Sequence, residues 1–360
     1  MKVRLTPGQV TALMAMTTIP TMTMLLPSDM IQASGRDGWL DVVLPLLAAA
    51  AIAWGMYRSP HRTIEEQALL RFGPWVGRAL LLLLAGAVEA YLVVAVGEFA
   101  QLAERTYVFG DVPLLLLVGI GIGIAWLETS VGIRSIARTA QLELPLLLTT
   151  SLIVIGAALP FGDIRYALPV GFEHMLSAKA FFVPFVFLAE TVFVSTWPIE
   201  SPRAWLWPVL TGLSLAAGIC ALTAWSSVVV LGADRATSAV IPVYQVARDV
   251  IYAGGFVAHF EVLLIPMLTA GTAIKLGIFS TSVASLLQAA VPRAPSWVLS
   301  GLVVLVGGSL ALHYFPTPVG VDAALMHVLA PYALPPLIAL PLLIRFWPQR
   351  RPQVVARRAP

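Results

Sequence analysis

The sequence predicts an all-α integral membrane protein of about ten transmembrane helices, arranged as two sets of five. Three observations lead there. Of 360 residues, 59% are apolar and only 11% are charged, against roughly 25% charged in soluble domains, so there is too little polar surface to fold in water. Apolar runs of about 20 residues, each long enough to cross a bilayer at about 1.5 Å per residue, recur from end to end. The first and sixth runs carry an internal proline, at Pro20 and Pro184. Interrupted helices at corresponding places in two halves mark inverted-repeat transporter folds.

The runs fall near residues 8–32, 38–57, 76–103, 112–129, 138–159, 177–199, 204–231, 252–278, 296–313 and 324–346. Between residues 232 and 295 the pattern is weaker. Its amphipathic start, from Asp234 to Asp249, reads as a surface helix, and Ser280 to Val291 reads as a short extra one. No polar connection is long enough to form a soluble domain. Residues 1–348 are therefore one polytopic membrane domain, and 349–360 are a basic, disordered tail facing lipid headgroups. The start is read as a retained first span, because no small-residue cleavage site follows a short apolar core. Counting along the spans puts 16 of the 22 Lys and Arg on one side, Lys275 among them. That bias places both termini in the cytoplasm.

The first span sets the functional question. Thr17, Thr18, Thr21 and Thr23 flank Pro20 where an ordinary span would carry Leu and Ile. Proline has no backbone N–H and clashes with the carbonyl four residues earlier, so the helix kinks or unwinds there. Unwound backbone is tolerated in a membrane only where protein buries it or a cavity meets it. Thr18, Pro20 and Thr21 thus become candidates for a small-ligand site near the midplane. The alternative is a plain kink with the threonines bonded back to their own helix.

The third span carries Glu89 and Glu98, about 13 Å apart along a helix, with Tyr91 between them. Gly119 and Gly123 of the fourth span form a Gly-x-x-x-Gly pair, which suggests close helix packing. Glu143 lies near the inner end of the fifth span. The sixth carries Phe182, Pro184 and Phe185, which extend the candidate ligand site together with Tyr91, and Glu190. In the eighth, Glu261 lies beside His259. Carboxylates within spans are costly and point to function by default, so Glu98 and Glu190 are candidates for a water or ion path. Pairing with loop groups or each other is the other reading, and for Glu143 and Glu261 it is preferred.

Other chemistries find no support. One cysteine, Cys220, allows no disulfide framework or thiol metal site. No phosphate-binding glycine loop, clustered His and Cys or nucleophile–base set occurs, so no metal, cofactor or enzymatic activity is expected. The net charge of +3 reflects loop arginines rather than nucleic-acid binding.

Several stretches carry a family resemblance. Leu5-Thr-Pro-Gly-Gln9, Gly35-Arg-Asp-Gly-Trp-Leu40, Thr63-Ile-Glu65 and Gly132-Ile-Arg-Ser-Ile-Ala-Arg138 running into Leu144-Pro145 resemble the B subunit of spore germinant receptors (GerAB-type endospore germination permeases). Asp163 to Pro169, Glu190 and His259-Phe-Glu261 also fit. The resemblance covers roughly residues 5–345. It implies a LeuT/APC-like fold, that of the amino acid–polyamine–organocation superfamily, with a 5+5 inverted repeat and broken helices 1 and 6, in the spore inner membrane. It further implies a nutrient-sensing role, usually for an amino acid, with a membrane A subunit and a lipoprotein C subunit as partners. Two departures stand out: the family often has glycine in the first helix where Thr18 to Met22 has none, and tends to place arginine at His259.

Three readings follow. The first is a ligand-sensing receptor subunit, with Thr18, Pro20, Thr21, Tyr91, Phe182, Pro184 and Phe185 at the ligand and Glu98 on a water or ion path. The second is an autonomous proton-coupled amino-acid permease, with Glu98 or Glu190 as the coupling carboxylate. The third is a scaffold for the A subunit that binds nothing.

Overall fold

The computed structural model describes residues 4–57, 63–105, 113–171, 177–199, 205–252, 257–314 and 325–348; the basic tail 349–360 lies outside them. Among the described residues twelve helices follow one another: α1 (Pro7–Ser34), α2 (Val43–Tyr57), α3 (Ile64–Arg105), α4 (Leu114–Val131), α5 (Ile133–Ala158), α6 (Ala178–Leu188), α7 (Leu206–Leu231), α8 (Ala233–Ser238), α9 (Pro242–Arg248), α10 (Glu261–Ala290), α11 (Ser296–Tyr314) and α12 (Leu334–Phe346). A 3₁₀ stretch, Ala189–Thr196, continues α6, and π-helical turns at Leu325–Ala333 lead into α12. Eight apolar helical segments are long enough to cross a membrane, and α2 and α4 are shorter apolar helices. These ten segments follow the expected runs in order, the third and eighth differing in extent. The protein is an all-α integral membrane bundle.

Helix α1 is the axis. Its most apolar stretch is 94% buried, against 33% for α5, α11 and the last span, so α1 is wrapped by protein while those three face lipid. It packs on α7, α10, α5 and α6. It starts at Pro7, whose missing N–H is an orphan there in any case, and the Gln9 side-chain oxygen accepts from the Thr6 backbone N–H at 3.0 Å.

The expected break at Pro20 takes a milder form. Helix α1 runs through Pro20 and Pro27 without leaving helical geometry; the interruption is one of hydrogen bonding, not of winding. The threonines bond back to their own helix: Thr17 Oγ1 donates to the Leu13 carbonyl at 2.6 Å and Thr23 Oγ1 to that of Ile19 at 2.7 Å, which lets polar side chains sit inside a buried helix. Space for the ring comes from Gly271 of α10: a Cβ there would sit 2.5 Å from Pro20 Cγ and 3.1 Å from Met16 Cε. Gly271→Ala is accordingly expected to lower the detergent-solubilised protein's stability by about 1–3 kcal/mol through overpacking. Gly218→Ala, where a Cβ meets nothing within 4 Å, is the neutral control in the same thermal-melt series.

The sixth span changes winding after Leu188, at the passage to 3₁₀ turns, rather than at Pro184. Helix α3 extends further than expected, bending at Gly73 (φ 79°) ahead of Pro74. The eighth span also differs: its expected start at residue 252 falls in a two-stranded pairing of Ile251–Tyr252 with Val257–Ala258, and its helix begins only at Glu261. The separate helix expected over 280–291 is instead the end of one continuous α10. Ser280 explains this, since its hydroxyl donates back to the Leu276 carbonyl at 2.8 Å and so sits inside a helix without breaking it. The surface helix expected from Asp234 to Asp249 is realised as α8 and α9, tied by Arg235 and Asp249 at 3.0 Å. Gly119 and Gly123 do not mediate close packing within the chain, as an added Cβ on either meets nothing within 4 Å.

Where α1 gives way to α2, Asp41 is 2% exposed and both its oxygens accept from the Ser34 hydroxyl, at 2.8 and 2.9 Å. Burial pushes this carboxyl up to about 7, with Asp37 adding to the rise and the Ser34 bond opposing it. The folded chain then holds a proton that the unfolded chain releases near the ordinary value of 3.8. Stability therefore falls as pH rises from about 4 to about 7. Asp41→Asn is expected to flatten that segment of a melting-temperature profile; an unchanged slope would contradict the assignment.

Candidate functional site

Midway along α10, Lys275 is 1% exposed. It does not lie at the inner end of the eighth span, where counting along the spans had put it. A lysine buried in a membrane bundle must find partners, and this one finds them on three other segments. Its Nζ lies 3.0 Å from Glu190 Oε1 on the 3₁₀ stretch and 3.4 Å from Glu98 Oε2 on α3. It donates to Thr21 Oγ1 of α1 at 2.7 Å. The rings of Phe187 and Phe279 stand 5.0 and 5.3 Å from the same nitrogen, within the range of cation–π attraction. Glu98 and Glu190 are each 1% exposed and Thr21 is fully buried. One ammonium thus joins α1, α3, the sixth span and α10 at the centre of the bundle.

The charge does not balance in the ionised forms: two carboxylates face one ammonium. Glu190 Oε2 has no hydrogen-bond partner among the described residues. A void of about 160 Å³, too narrow for a water molecule, adjoins the cluster and is lined by Tyr91, Val94, Glu98, Phe187, Glu190 and Lys275, among others. The site is closed in this conformation.

Tyr91 braces it. Its hydroxyl donates to the Val186 carbonyl at 3.2 Å, and its ring meets Phe193 and Phe279 edge-on at 5.8 and 6.2 Å. That bond holds a carbonyl of α6 one helical turn before the change of winding.

Further polar groups follow Glu190 along the sixth span. Thr191 and Ser195 line the 3₁₀ stretch with buried hydroxyls unbonded among the described residues, and Thr196 Oγ1 bonds Ser282 of α10 at 3.2 Å. Thr196 and Ser282 belong to a second cavity of about 440 Å³, which also touches Glu65, Trp197, Thr281 and Ser285. Ser282 lies about 10 Å along α10 from Lys275. Glu65 there accepts from the Ser285 hydroxyl at 2.5 Å. This cavity opens where α3 and α5 begin and where α10 and the sixth span end.

The residues singled out from the sequence divide into groups. Thr21, Tyr91, Glu98 and Glu190 come together around Lys275. Thr18 is buried with its hydroxyl 3.4 Å from the Met14 carbonyl, and Pro20 faces Gly271, so both support α1 without touching the void. Pro184 is buried in α6, and Phe185 stacks on Phe181 at 4.9 Å. Phe182 is 46% exposed and turns outward; helical periodicity gives Phe187 the position on the void instead. Glu261 is bonded to His259 at 2.8 Å, the pairing reading. Glu89 lies apart on the α11 side of α3, next to Gly307. Glu143 Oε1 has no partner among the described residues and lies off the cluster. The residues missed by sequence reasoning are Lys275, Phe187 and Phe279. A lysine in the middle of an apolar run is itself the signal that could have found the first.

Comparison with known proteins agrees with this architecture. A profile described as spore germination protein matches residues 4–306. A search of curated proteins gives no match. Among solved structures, a Na⁺-coupled sialic acid symporter in a substrate-bound outward-open state superposes with a TM-score of 0.66 at 13% identity, covering 95% of this chain and 79% of that one. A nucleobase–cation-symport-1 family transporter, closed with bromovinylhydantoin bound, gives 0.69 at 15% identity, covering 94% and 78%. At such identities the likeness is one of fold.

Proposed function

The chain belongs to the spore germination protein family, and from that premise we propose that it is the nutrient-sensing subunit of a germinant receptor in the spore inner membrane. Both termini would face the cytoplasm, and a membrane A subunit and a lipoprotein C subunit would be its partners. One observation carries the reading: the Lys275 cluster fastens α1, α3, the sixth span and α10 at a single closed point. A small nutrient such as an amino acid, bound beside Thr21, Tyr91 and Phe187, competes for those bonds and so favours a different arrangement of the four segments. Only such a difference in affinity between two arrangements can turn binding into a signal.

A second reading has its own support. Two carboxyls against one ammonium offer a place for a transferable proton, and the 440 Å³ cavity lined by Glu65, Thr196 and Ser282 is the kind of polar space that proton-coupled permeation requires. Uptake of labelled amino acids into proteoliposomes under a pH gradient separates the two, with Glu98→Gln alongside. Saturable binding without accumulation is expected for the sensor. Gradient-driven accumulation lost in the variant would make the chain a permease. A scaffold that binds nothing is excluded by saturable binding that Thr21→Val abolishes.

A further inference from the structure

The surroundings of Lys275 Nζ are built from groups other than the lysine's own stem. Two carboxylate oxygens at 3.0 and 3.4 Å, a hydroxyl oxygen at 2.7 Å and two aromatic faces at 5.0 and 5.3 Å converge on one nitrogen. Acceptors and ring faces of this kind are complementary to a primary ammonium: three N–H groups meet three oxygens, and the positive charge lies against π-faces. We propose that this is a binding site for small primary ammonium compounds, occupied by Lys275 as a tethered resident ligand.

The arrangement also says what the site does not take. A carboxylate group would have to approach between Glu98 and Glu190, whose own carboxyl oxygens already converge on the one ammonium. A free cation cannot join the lysine, because no water-sized space remains in the void. An external amine must therefore replace the Lys275 ammonium. This deepens the sensing proposal and rests on it only for the natural ligand: the nutrient's amino group, rather than its acid group, is what enters the Glu98–Glu190 pair. The lysine displaced in that exchange is the group whose departure frees four segments at once.

The test restores the ammonium without the tether. Lys275→Ala, purified in detergent, is titrated with methylammonium, ethylammonium and n-propylammonium chloride against sodium chloride at matched ionic strength, with melting temperature as readout. The expected result is a saturable upward shift with one of the primary ammonium salts and none with tetramethylammonium, which has no N–H to donate. Wild type, whose site is filled, should not respond. If Lys275→Ala alone yields no folded protein, Lys275→Ala with Glu98→Gln keeps Glu190 as the single counter-charge and is titrated in the same way. No saturable shift in a folded variant, or an equal shift in wild type, overturns the proposal. The measurement uses neither nutrient nor partner subunits, so its failure leaves the sensing reading to stand or fall on the uptake and binding assays.

Discussion

Lys275→Met is expected to remove about 3–5 kcal/mol of stability, the cost of taking one partner from a buried ionic group. Met fills the space of the lysine stem, so the loss is electrostatic rather than a cavity effect. What remains is Glu98 and Glu190, both 1% exposed, with the cation gone and the Thr21 hydroxyl relieved of its donor. Domains are stable by only about 5–15 kcal/mol, so a loss of this size should appear as a sharply lowered melting temperature and reduced recovery from the membrane. A monodisperse protein melting at the wild-type temperature would show that Lys275 is not the fastening point of the bundle. Lys275→Arg is not expected to substitute, because a planar guanidinium needs more room than this tight void offers.

The second large effect is a departure from additivity. Glu98→Gln and Glu190→Gln each remove one carboxyl from the cluster, and in each case the other still pairs with Lys275. Single losses of about 1–2 kcal/mol are expected, near the value of a charge-assisted hydrogen bond. Glu190→Gln should be the larger, since its ion pair is the shorter, 3.0 against 3.4 Å. The double variant leaves a buried ammonium with neutral acceptors and two rings but no counter-charge, and is expected to lose about 3–5 kcal/mol. That excess over the summed single effects is the coupling energy of a shared network. Equal sums in a denaturation cycle would mean that the two carboxylates act separately.

Much of the fold was legible in the chain. The ten apolar segments follow from composition alone, because a bilayer accepts only backbone whose polar groups are satisfied within the segment, and long apolar runs advertise that solution. The importance of the first span was readable from Pro20 and its threonines. Its form was not: whether a proline unwinds a helix or merely interrupts its bonding depends on what receives the ring, and here Gly271 does, 251 positions later. Phe182 against Phe187 was likewise undecided, since which face of α6 turns inward depends on its neighbours.

The sequence by itself determined that this is a polytopic membrane protein with carboxylates too costly to be idle, because the free energy of placing each residue in lipid is a local property. Only the tertiary structure decided what two of those carboxylates, Glu98 and Glu190, meet. Lys275 meets Thr21 across 254 positions and Glu98 across 177, and no periodicity or motif joins residues so far apart. An ammonium can be held in the core of a membrane bundle only where several helices deliver oxygens to one point, and that convergence exists only once the helices have packed.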